Sequence, residues 1–146
     1  MRRIMFALFA GCLIFAGCSK EAPQGHAILF DGRPAVYSEH IYDNGVRIGQ
    51  IVEKQVSPAG NVRLMVVFND DWLQKSNENI VFYPRHGHLQ VEYLQGYGPP
   101  LPPDAVLCGF TSRNGLIWFN VKTLISDRAK EARKKARDLQ ARFGTS

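Results

Sequence analysis

Ile41-Tyr42-Asp43-Asn44-Gly45-Val46-Arg47-Ile48-Gly49-Gln50-Ile51 sets two glycines four residues apart at the start of a β-rich run. Its two glycines serve different ends. Gly45 suits a turn that needs positive φ, and Gly49 suits a strand whose backbone must approach a neighbour closely. From Val46 the residues stay β-rich to Val56. Ser57-Pro58-Ala59-Gly60-Asn61 is turn chemistry, and Val62 to Phe68 is a second β-rich run. Residues 46–68 therefore read as a hairpin.

Outward from this hairpin the pattern continues as short strands. His26 to Phe30 is one, stopped by Asp31-Gly32. Asn69-Asp70-Asp71 can cap one helical turn, Trp72 to Lys75. Asn79 to Tyr83, Leu89 to Leu94 and Ala105 to Phe110 are further strands, with a turn at Pro84–Gly87. Closely spaced strands without long helices between them predict an all-β domain, a small barrel or sandwich, over residues 26–110. Gly96 to Asp104 holds four prolines within five residues. Prolines cannot donate ladder bonds, so a stiff loop joins two strands and offers Tyr97 and Leu101 as its apolar side chains.

The ordered series resembles mammalian cell entry (MCE) domains. Their hallmark is an apolar-x-aromatic pair followed by Gly-Val-x-apolar-Gly-x-apolar. Here Gly45, Val46, Ile48 and Gly49 stand in its positions. Val62–Phe68, Asn69–Ile80, Gly87–Leu94 and Pro103–Gly109 follow in family order. The resemblance implies a seven-stranded β-barrel that assembles into a homo-oligomeric ring, often a hexamer. Such rings pass phospholipid between membranes and work with an ABC permease and ATPase. It also makes Tyr97 and Leu101 candidates for lining a lipid pore. The chain itself would be no enzyme.

The N-terminus reads as an export signal. Arg2 and Arg3 precede fourteen apolar or small residues, Ile4 to Gly17, short of the ~20 that a spanning helix needs. Phe15-Ala16-Gly17-Cys18 resembles the lipobox of bacterial lipoproteins, which implies cleavage before Cys18 and acylation of its thiol. The same tetrapeptide at residues 9–12 leaves too short an apolar run ahead of it. Residues 1–17 are thus an expected signal peptide and 18–25 a tether. The expected place is the periplasmic face of the cell envelope, held by lipid. Ser19, where an Asp would favour inner-membrane retention, directs the expectation to the outer membrane. Only Cys108 then remains as a free thiol, read as a buried apolar residue.

The chain of 146 residues carries a net charge of +5. Residues 127–142 hold seven bases against three acids, while 18–126 hold nine against ten. The middle is therefore not basic, which removes support for a nucleic-acid partner. Nine Phe, five Tyr and two Trp exclude a wholly disordered chain, and three Cys exclude a disulfide scaffold.

The tail, 127–142, is free of Gly and Pro and predicts an amphipathic helix capped at Ser126-Asp127. Ile125, Ala129, Ala132, Ala136, Leu139 and Phe143 form its seam. Three placements fit: on its own domain, against a neighbouring subunit, or near anionic lipid headgroups. Gly115–Phe119 reads equally as a helical lead-in or as a strand. His86-x-His88 has no carboxylate or Cys cluster to complete a metal site, and no nucleotide or hydrolase motif occurs. No cofactor or metal is expected. Two functions follow: a lipid-anchored component of lipid transport, or an envelope lipoprotein that serves as a structural or adaptor module.

Overall fold

The structure, a computed structural model, describes residues 25–94, 98–122 and 127–144. Seven strands close into a mixed barrel: β1 (His26–Phe30), β2 (His40–Asp43), β3 (Val46–Val56), β4 (Val62–Phe68), β5 (Ile80–Arg85), β6 (His88–Tyr93) and β7 (Val106–Gly109). Their order around the barrel is β1-β4-β3-β2-β6-β5-β7, with β7 returning to β1. β1–β7, β5–β7 and β2–β6 pair parallel; the other neighbours pair antiparallel.

Period-two alternation explains both faces. Ile28, Phe30, Ile41, Val62, Val66, Phe82 and Leu89 are fully buried in the inner cluster, so the interior is packed with side chains rather than hollow. Val81, Tyr83, Cys108 and Phe110 form a second cluster on the outer face. That face is covered by two helices, α2 (Arg113–Lys122) and α3 (Arg128–Gly144). A six-residue α1 (Asp70–Lys75) follows β4.

Two two-residue turns, Asn44-Gly45 and His86-Gly87, have left-handed backbone at both positions. Asn44 (φ 48°) and Gly45 (φ 81°) join β2 to β3, the Asn-Gly form that suits a two-residue hairpin. Gly49 lies opposite Phe68, where an added Cβ would meet the Val67 carbonyl at 2.6 Å and Phe68 Cδ1 at 2.9 Å.

Strands β1, β3 and β4 keep the boundaries read from the residues. β2 does not appear in that reading, and only the family resemblance implied a seventh strand. At α1, Asn69 occupies the cap position, but its side chain accepts no bond from the helix N–H groups, and its Nδ2 donates to the Arg47 carbonyl (3.1 Å) instead. The open question over Gly115–Phe119 resolves to helix, α2. Ser112 caps it, its Oγ accepting from Gly115 N at 3.1 Å. The tail helix begins after Asp127, whose carboxylate accepts from the N–H groups of Ala129 and Lys130. Ala129, Ala132, Ala136 and Leu139 are buried, the three alanines within the outer cluster. The tail thus lies on its own domain. Ile125 and Ser126 fall outside the described residues.

Candidate functional site at the proline-loop end of the barrel

β6 and β7 are not neighbours, because β5 stands between them. The proline-rich loop must therefore cross the end of β5, about two strand spacings or ~10 Å. It is fastened as it crosses. Asn77 bridges to Pro100, and Glu78 N donates to the Pro99 carbonyl at 3.0 Å. Gly98 sits against the Asn79 side chain, where an added Cβ would come within 2.7 Å. His26 Nε2 donates to the Pro102 carbonyl at 3.2 Å, and Ala105 N does so at 3.1 Å.

Leu101 is half-buried and packs against the inner core. Tyr97, the other apolar side chain read from this loop, lies outside the described residues, as do Cys18, the expected signal peptide and most of the expected tether. Of the motif residues, Val46 is exposed and Ile48 is buried in the core, while Gly45 and Gly49 occupy the turn and the close approach.

The same end holds an aromatic stack. Trp72 lies 4.6 Å from Phe68, which stacks on Phe82 at 5.8 Å and meets His26 at 5.6 Å. Trp72 Nε1 donates to Asp43 Oδ2 at 3.1 Å, and the Tyr93 hydroxyl donates to the same oxygen. One carboxylate thus joins α1, the β2–β3 turn and the end of β6. The Tyr93 phenol is pushed up to about 12, by desolvation of its hydroxyl and then by its bond to Asp43, although the residue as a whole is 46% exposed. This triad was invisible in the sequence, since Asp43, Trp72 and Tyr93 are far apart along the chain and form no motif.

α3 is tied to this end as well. Arg133 Nη1 lies 3.1 Å from Glu78 Oε1 and donates to Asn79 Oδ1 at 3.1 Å. Cys108 is buried beneath the helix, and burial pushes its thiol up to about 11, with the nearby Lys135 acting weakly the other way. It is therefore protonated at neutral pH and unsuited to nucleophilic chemistry. Among the described residues no group of three or more His, Cys, Asp or Glu could hold a metal ion, and no helix is long and apolar enough to cross a membrane. No protein-family model matches this sequence, and no curated protein matches it.

The chemistry on offer at this end is apolar contact and shape. Among the described residues here, Asp43, Trp72 and Tyr93 are engaged with one another, as are Glu78, Asn79 and Arg133.

Proposed function

We propose that the chain is an MCE-type barrel module in a phospholipid transport system of the cell envelope. In this reading Cys18 carries the lipid anchor. Copies of the barrel form a ring at the periplasmic face, an ABC permease and ATPase supply the energy, and the chain catalyses nothing. The observation that carries the reading is the closed seven-stranded barrel with the Gly45–Gly49 motif at its β2–β3 hairpin.

The filled interior sharpens the mechanism. Each methylene exposed to water costs ~0.8 kcal/mol, so a moving acyl chain needs an apolar sleeve. With the barrel packed by Phe30, Phe82 and their neighbours, that sleeve has to lie between subunits. The loop of residues 95–105 is the element that would face such a space; Leu101 is engaged by the core, and Tyr97 is the other candidate that the sequence offers.

Native mass spectrometry of the full chain, extracted in mild detergent, tests the proposal. A closed oligomer with bound phospholipid is expected. A monomer free of lipid under all conditions overturns it in favour of an adaptor module.

A further inference from the structure

α2 and α3 present an outer surface that the fold does not use. On α2, Leu116 is buried and Phe119 packs on Phe110 at 5.1 Å between ring centres. Ile117, Trp118 and Val121 face outward, 49%, 65% and 53% exposed. Helical spacing places Arg113, Ile117 and Val121 in one row and Asn114, Trp118 and Lys122 in the next. The apolar ridge is thus bracketed by exposed cations at both ends.

The neighbouring ridge is basic. Lys130, Lys134 and Arg137 of α3 are exposed. Phe119 of α2 and Lys134 of α3 line one groove of about 270 Å³, so the two helices adjoin along it. Residues 113–144 hold nine bases against three acids, whereas 25–110 hold six against nine. The positive charge of the folded part is concentrated on this helical pair.

We propose that this surface contacts an anionic lipid bilayer. Trp118, Ile117 and Val121 enter the headgroup layer, and Lys122, Lys130 and Lys134 meet lipid phosphates. Tryptophan favours that layer because its ring is apolar and its N–H polar. Basic residues beside it add attraction to anionic headgroups. Asp31, Glu131 and Asp138 line the groove, which places the contact on the ridges rather than within it. A second copy of this chain is a poorer occupant. A twofold contact would set one basic ridge against another. The inference does not rest on the transport reading. α2 starts beyond Phe110, at the opposite end of the barrel from the proline loop, whereas β1 enters at the loop end. α3 lies between the two ends, since its Arg133 reaches Glu78 and Asn79 at the loop end.

The test uses the full chain reconstituted in phosphatidylcholine vesicles. Brominated phosphatidylglycerol is placed either in the same vesicles or in a second vesicle population. The Trp118 signal is the difference between wild type and Trp118→Phe, so Trp72 cancels. About twofold quenching of that signal is expected in one arm or the other, and the arm identifies which membrane is touched. Lys122→Gln, Lys130→Gln and Lys134→Gln together should weaken the contact about a hundredfold, since each lysine contributes roughly fivefold. All four substitutions lie at exposed positions, so folding is preserved. Absence of quenching in both arms overturns the proposal. Equal quenching by brominated phosphatidylcholine, or a concentration-dependent emission shift without lipid, overturns it in favour of non-electrostatic or self-contact.

Discussion

Gly45 and Gly49 are one motif in sequence and two mechanisms in space. Gly45 has φ 81° and nothing within 4 Å of an added Cβ, so its requirement is backbone conformation alone. Gly45→Asn should be nearly neutral, because Asn tolerates the left-handed region, while Gly45→Val should cost about 1–2 kcal/mol. Gly49 has ordinary backbone but no room, with the Val67 carbonyl 2.6 Å from an added Cβ. Gly49→Ala should then cost about 1–3 kcal/mol, with Asn no better than Ala. Urea midpoints of the four variants separate the two cases. Tyr93 makes a residue-scale prediction in pH. Its folded value, about 12, lies above its ordinary 10.0, so the protonated phenol is the form the fold favours. The stability it contributes is complete below pH 10 and is lost as the pH rises from 10 to 12. Cys108 shifts the same way, from 9.0 to about 11, so the measurement belongs in a Cys108→Ala background. There, Tyr93→Phe should flatten the fall in urea midpoint between pH 10 and 12.

Among the elements, the tail helix shows why small residues recur at heptad-like spacing. Ala129, Ala132 and Ala136 let α3 lie close on the outer cluster. Ala136→Leu should overpack this contact by about 1–3 kcal/mol. The loss should be confined to α3: native-state hydrogen exchange would speed up along Arg128–Gly144 and stay slow in β1, β4 and β5. The seam was readable because composition and period agree there. Which neighbour it met was not readable, since a row of alanines fits a strand face or another subunit alike. β2 and α2 escaped for different reasons. β2 has four residues, too few for a period, and is held between β3 and β6 by register. α2 is rich in strand formers and apolar on both sides, Leu116 inward and Trp118 outward, so spacing could not separate helix from strand. Capping by Ser112 and packing on Phe110 decide it. Asp43, Trp72 and Tyr93 escaped because their relation is purely tertiary.

At the scale of the whole molecule, a filled barrel has no inside for a lipid, so any conduit belongs to an assembly and to what each copy contributes to it. The proline-rich loop separates two effects that a paired substitution would merge. Leu101 packs against the inner core, so Leu101→Asp buries a charge beside it and should cost about 1–3 kcal/mol, read as a lower thermal midpoint of the barrel. A loss of lipid contact in that variant would say nothing about a pore. Tyr97→Asp is the informative change under the ring proposal. It should leave the oligomer seen by native mass spectrometry intact while removing most photo-cross-linking to a diazirine phospholipid. If cross-linking persists at wild-type level with the oligomer preserved, the loop does not line the conduit, and the apolar sleeve must be sought on another face of the subunit.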